Sequence, residues 1–169
     1  AGIKYYRSPF TNSKMGIVFF PIRLIALIKK VCPIAIHTHT EIPDLSLYWT
    51  CLLAPRIMQD IKIVRTLHNT VLWNKWKSIG RVVEKFMQKH KANISTSNMI
   101  TCTYQKEFGF DSNIKLIYNG FTAISQQIYP YIYSGKINIL FAGRFVPQKG
   151  IPVLINIIKR VDEKVFYFH

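Results

Sequence analysis

Acidic side chains are scarce in this sequence. Eight Asp and Glu stand against 23 Lys and Arg over 169 residues, a net charge of +15. Such a surplus attracts anionic partners: nucleic acid, an acidic membrane surface or phosphorylated substrates. Cysteine is also sparse. Cys32, Cys51 and Cys102 are odd in number, far apart and without a C-x-x-C pair, so they suggest neither a disulfide framework nor a zinc site and fit a reducing cytoplasm. The longest apolar run, 15–28, is broken by Pro21 and Arg23 and is too short to span a bilayer. There is no internal repeat and no low-complexity segment; a signal peptide is not expected, and the sequon Asn93-Ile94-Ser95 reads as chance. A nucleic-acid reader would need aromatics interleaved on an exposed sheet or a recognised module. Neither is evident, and nucleic acid is not expected as a partner.

What is present is enough apolar material for a core. The chain is 49% hydrophobic, and its length allows one domain or one domain plus part of another. Strand-like and helix-like stretches alternate, which points to an α/β fold. Strands are predicted over 3–7, 34–37, 62–67, 99–102 and 114–118, the second of them buried. Helices are predicted over 21–31, with Pro21 in its first turn, over 44–58, with Asp44 as N-cap, and over 73–91, with a helical turn at 105–108. In 73–91 the residues Trp76, Ile79, Val83, Phe86 and His90 recur on one face and define its expected apolar stripe. Segment 119–135 is uncharged, carries Gly120, Pro130 and Gly135, and reads as an interdomain linker. A new unit follows: strand 137–142, loop 143–150, helix 151–161 with Ile151, Leu154, Ile155 and Ile158 as its stripe, and strand 165–168. The expected division is therefore 1–118, linker 119–135 and 136–169. The chain begins at Ala1 rather than Met and ends at His169 on a strand-like run, which suggests an internal piece of a longer protein.

Three features bear on chemistry. The loop G-R-F-V-P-Q-K-G at 143–150 lies at the carboxyl end of a strand, where open α/β sheets bind ligands. Gly143 and Gly150 permit tight turning. Arg144 offers a planar fork of donors and Lys149 a point charge near a helix N-terminus, a set that suits a diphosphate. On spacing alone an ordinary βα loop with two solvated cations is the plainer reading, and the pattern is neither a Walker A loop nor G-x-G-x-x-G.

The second feature is a histidine set. His37 and His39 end one predicted strand and His68 ends the next, so parallel pairing would gather all three at the carboxyl rim. There they could bond sugar hydroxyls or move protons. A structural role remains open, and zinc lacks an Asp or Glu helper. The third is the basic helix, where Lys75, Lys77, Arg81, Lys85, Lys89 and Lys91 face one acid, Glu84. It could lie on anionic headgroups; a Rossmann helix with a lysine-rich polar face is the plainer reading.

Taken in order, P-I-A-I-H-T-H (33–39), I-V-R-T-L-H-N (63–69), I-K-L-I-Y-N-G-F (114–121) and I-L-F-A-G-R-F-V-P-Q-K-G (139–150) resemble the family 4 group of GT-B glycosyltransferases. The resemblance implies an incomplete Rossmann-like acceptor domain, a crossover, and the first βαβ of a Rossmann-like donor domain. It implies retaining transfer of a sugar from a nucleotide-diphosphate donor to a saccharide or lipid-linked acceptor, in cell-surface polysaccharide or glycolipid synthesis. Arg144 and Lys149, with Gly143 and Gly150, correspond to the family's diphosphate loop. His68 corresponds to its sugar-facing histidine, and His37 and His39 lie on the acceptor side. No cofactor and no divalent metal are implied. The site is expected in the cytoplasm, peripheral to the inner face of the plasma membrane if 73–91 binds lipid. The acceptor-domain glycine loop and the acidic donor motif would lie outside 1–169, so this stretch alone is expected to be inactive and prone to aggregate. Two other readings fit the same features: a basic, non-catalytic module for membrane or nucleic acid, and a GT-B nucleotide-sugar epimerase.

Overall fold

The run K-I-V-R-T-L has the β-branched character of a strand between polar ends, and in the computed structural model it is one, Lys62–Leu67. Around it the chain builds α1 (Lys14–Val31), β1 (Ala35–His39), α2 (Glu41–Leu53), α3 (Pro55–Met58), β2 (Lys62–Leu67), α4 (Lys77–Lys89), β3 (Asn93–Ser95), α5 (Asn98–Phe108) and β4 (Lys115–Leu116). The structure describes residues 3–7, 14–74, 76–109, 111, 113–122, 135–146 and 149–169. The chain divides into two compact units, Ala1–Phe121 and Thr122–His169.

In the first unit the four strands form one sheet in the order β1-β2-β3-β4, every neighbouring pair parallel. Each crossover contains a helix, the arrangement that parallel neighbours require. This is an α/β, Rossmann-like architecture. Its core gathers Ile28 of α1, Leu45 and Leu47 of α2, Met58 of α3, Ile63 and Leu67 of β2, Val83 and Met87 of α4, and Ile100 and Tyr104 of α5. No helix among the described residues is long and apolar enough to cross a membrane.

Several predicted elements are displaced, for identifiable reasons. Residues 3–7 are exposed and form no strand. α1 begins at Lys14, so Pro21 lies inside the helix rather than in its first turn; it is buried and, having no N–H, makes no i→i−4 bond there. β1 is at the sheet edge and half open rather than buried. Asp44 is not an N-cap: α2 starts after Thr40, and Asp44 is buried within its first turn.

Residues 99–102 are helical. Ser97 accepts a hydrogen bond from the Ile100 N–H and caps α5, while the strand is the polar segment Asn93–Ser95. α4 buries Gly80, Val83, Glu84 and Met87. Trp76 and Ile79 of the predicted stripe are 40% and 47% exposed, because Glu84 turns inward and rotates the buried face. Trp73 precedes the helix, and Lys75 lies outside the described residues.

The second unit contains β5 (Ile137–Ile139), α6 (Ile151–Ile158) and β6 (Phe166–Phe168), with β5 and β6 parallel. It is a single βαβ with shorter elements than its sequence predicts. Pro152 sits in the first turn of α6, and no residue of that helix is buried. Of the 119–135 segment, 123–134 lie outside the described residues, as do Pro147 and Gln148 of the 143–150 loop.

Candidate functional site

Alternation along β1 puts His37 and His39 on one face and Thr38 on the other. The register sets His37 beside Val64 and His39 beside Thr66, with His68 just past the end of β2. The three histidines meet at the carboxyl rim. His39 Nδ1 and His68 Nε2 are 2.8 Å apart and hydrogen-bonded, with ring centroids stacked at 5.1 Å. His37 Nε2 pairs with Thr66 Oγ1 at 2.8 Å, and its ring centroid is 4.3 Å from that of His39.

Desolvation, followed by the nearby positive charge of His39 and His68 when protonated, holds the His37 pKa below its ordinary value. His37 is thus biased toward the neutral imidazole, which can both donate and accept. All three rings are open to solvent and able to meet a polyhydroxylated ligand. Among the described residues, no three His, Cys, Asp or Glu side chains are arranged to hold a metal ion.

The second predicted cluster lies in the second unit. Gly143, Arg144 and Lys149 are exposed. The Val146 N–H donates to the Arg144 carbonyl at 2.9 Å, and the Lys149 N–H donates to the Val146 carbonyl at 2.9 Å. Gly150 has φ 69°, in the left-handed region, and is the N-cap of α6, a conformation that favours glycine. Lys149 therefore adjoins the N-terminus of α6.

Beneath the histidine rim lies a polar cluster that the sequence barely announces. Arg65, 1% exposed, donates from Nε to Asn93 at 2.6 Å, and from its terminal nitrogens to Asp44 at 3.1 Å and to both oxygens of Glu84. Glu84 also accepts from Trp73 Nε1 at 2.6 Å and from the Tyr104 hydroxyl at 2.8 Å. Asn93 donates to Asp111 at 2.7 Å, so the sequon asparagine is buried and engaged.

Burial raises the pKa of Asp44, more than Arg65 and Thr38 lower it. For Arg65, burial works against the charge, but hydrogen bonds and charge from Glu84 and then Asp44 outweigh it and the net shift is upward. Burial and the Glu84 charge push the Tyr104 phenol well above its usual range. Two signals in the sequence point here: an arginine inside an otherwise apolar strand, and a single acid on a basic helix.

Residues 2–123 match the family model for Glycosyltransferase Family 4. The chain is also 30% identical over 105 residues to an uncharacterized 41.2 kDa protein in the cps region of Klebsiella pneumoniae. That match covers 56% of this chain and 29% of the relative, so the chain spans less than a third of the protein it resembles. With the family model covering well over half of its residues, and with a parallel α/β sheet carrying the histidine rim, the chain belongs to glycosyltransferase family 4.

Proposed function

We propose that this chain supplies the acceptor-side Rossmann-like domain (1–118), the crossover (119–135) and the start of the donor domain (136–169) of a retaining glycosyltransferase. The enzyme would move a sugar from a nucleoside-diphosphate sugar to a saccharide or lipid-linked acceptor. The observation that carries this is the hydrogen-bonded His39–His68 pair beside His37, at the carboxyl rim of a parallel sheet, where open α/β folds place ligands.

In this reading His68 orients the transferred sugar, and His37 and His39 face the acceptor. Arg144 and Lys149 stabilise charge that builds on the departing diphosphate, the preorganised electrostatics on which such reactions depend most. Gly143 and Gly150 let the backbone approach the phosphates. These two cations would take the place of a divalent metal. The cps-region relative favours polysaccharide assembly as the setting, in the cytoplasm. The outward face of α4, where Lys77, Arg81, Lys85 and Lys89 flank the exposed Ile79 and Val82, suits peripheral contact with anionic lipid.

The test is saturation-transfer NMR with a panel of nucleoside-diphosphate sugars at millimolar concentration, on the wild-type chain and on Arg144→Ala, Lys149→Ala and His68→Gln. Loss of the donor signal in the two cation variants supports the diphosphate assignment. Donor binding equal to wild type in both would sink it.

A further inference from the structure

The same two strands carry two sets of side chains on opposite faces. The register pairs Thr38 with Arg65 and His39 with Thr66. Alternation therefore places Thr38 and Arg65 on the buried face and His37, His39 and Thr66 on the other. The buried set is bonded in series. Thr38 Oγ1 donates to Asp44 Oδ1 at 2.5 Å. Asp44 Oδ2 accepts from Arg65 at 3.1 Å. The other terminal nitrogen of Arg65 pairs with Glu84, and Glu84 Oε1 accepts from the Trp73 indole at 2.6 Å.

Each end of this series closes one of the loops that carry the histidines. Asp44 closes the turn after β1: its side chain holds Thr38, and its own N–H donates to the Thr40 carbonyl at 3.3 Å, so His39 is bracketed between two bonded neighbours. Glu84 closes the loop after β2: it fixes Trp73, five residues beyond His68, and the indole is 3% exposed with its ring pressed against Gly80. Both loops hold a non-glycine residue at positive φ, Thr40 at 77° and Trp73 at 56°. Such conformations persist where the surroundings over-determine them; here the Thr40 carbonyl accepts from the Asp44 N–H and the Trp73 indole is bonded to the Glu84 carboxylate. Arg65 is bonded to both carboxylates.

We propose that Asp44, Arg65, Glu84 and Trp73 form a clamp that sets the distance between His39 and His68, and are thus positioning residues of the sugar-handling site. The catalytic meaning of the clamp rests on the proposed role of His68; its geometric content does not. A site that must hold a sugar between two loops needs those loops fixed to within a fraction of an ångström. A bidentate guanidinium–carboxylate pair is well suited to this, because its planar fork allows little rotation.

The test is NMR on the isotope-labelled chain, reading the ring-to-ring NOE between His39 and His68 and the tautomer pattern of the two rings. Trp73→Phe keeps most of the ring volume and removes the indole donor. Glu84→Gln keeps the shape and removes the charge. Val83→Ala, on the same helix and fully buried, lowers stability without touching the polar series.

The clamp predicts that Trp73→Phe and Glu84→Gln lose the NOE while Val83→Ala retains it. Survival of the NOE in both clamp variants overturns the proposal, as does its loss in Val83→Ala. If Glu84→Gln does not fold, as judged by circular dichroism, Trp73→Phe decides alone. Donor binding by His68→Gln is read separately. Wild-type binding there would remove the sugar-handling role and leave the clamp, whereas a surviving NOE removes the clamp and leaves the sugar-handling role.

Discussion

Replacing Gly80 with alanine reverses the usual sign of a helix substitution. On an exposed helix, Gly→Ala is worth about 1 kcal/mol of added stability. At Gly80 the new Cβ would lie 2.3 Å from Trp73 Cγ, 2.6 Å from its Cβ and 2.7 Å from its Cδ1. These atoms are the base of a rigid ring, not the tip of a flexible chain. The indole cannot swing away cheaply, since its Nε1 is bonded to Glu84 and the side chain is buried on all sides.

Overpacking of this kind costs about 1–3 kcal/mol, and distances this short belong at the upper end. A net loss of about 2 kcal/mol is expected, or roughly 4–8 °C in Tm for a chain of this size. In a Trp73→Ala background the obstruction is gone, and the same Gly80→Ala change should recover its gain of about 1 kcal/mol. The implied coupling of about 3 kcal/mol is the top of the range for residues in direct contact. Urea unfolding of the four proteins, followed by far-ultraviolet circular dichroism, measures it. A Gly80→Ala variant as stable as wild type, with the same effect in both backgrounds, would refute the packing argument.

Three further outcomes are expected. Glu84→Ala leaves the buried Arg65 with Asp44 as its remaining carboxylate and removes the acceptor of Trp73 and Tyr104, and should cost about 3 kcal/mol, whereas alanine at the exposed Glu107 should stay within about 0.5 kcal/mol; equal losses would show that Glu84 holds nothing in particular. His37, its pKa lowered in the fold by desolvation and then by His39 and His68, takes up its proton in the unfolded chain first. Stability is therefore full above pH 6.5 and falls as pH drops from 6.5 toward the folded value; His37→Gln should flatten part of that slope and leave the share from His90, lowered by burial and then by Lys89, and an unchanged slope would contradict the assignment. Burial raises the Cys51 thiol to about 11, so in the folded chain iodoacetamide should modify the exposed Cys32 and Cys102 well before Cys51, as mass spectrometry of the peptides would show.

Much of the architecture is legible in the sequence where local pattern and tertiary demand agree. The β-branched run 62–67 gives its strand with correct bounds. The meeting of His37, His39 and His68 follows from period-two alternation once parallel pairing is assumed. The failures fall where polar residues are buried. Asn93–Ser95 is a strand in the sheet interior with one apolar residue in three, and it is held by side-chain bonds that Asn93 accepts from Arg65 and donates to Tyr104 and Asp111, and by the Ser95–Thr101 hydroxyl pair. The apolar run 99–102 looks more strand-like, but Ser97 caps it into a helix. On α4 a single inward carboxylate outweighs Trp76 and Ile79 in choosing the buried face, because turning it outward would break its bonds to the buried Arg65, Trp73 and Tyr104. Periodicity has no access to that constraint, since it arises from a residue nineteen positions earlier.

The inward carboxylates also have a consequence for the outside of the molecule. Asp44, Glu84 and Asp111 are buried with a single guanidinium. Outside that network the chain carries 22 cationic side chains and five carboxylates, so its field toward solvent is more lopsided than the net charge states. Copies of the chain should repel one another in dilute buffer and draw together as added salt shortens the Debye length below about 10 Å. Ionic strength, more than temperature, should then govern its solubility.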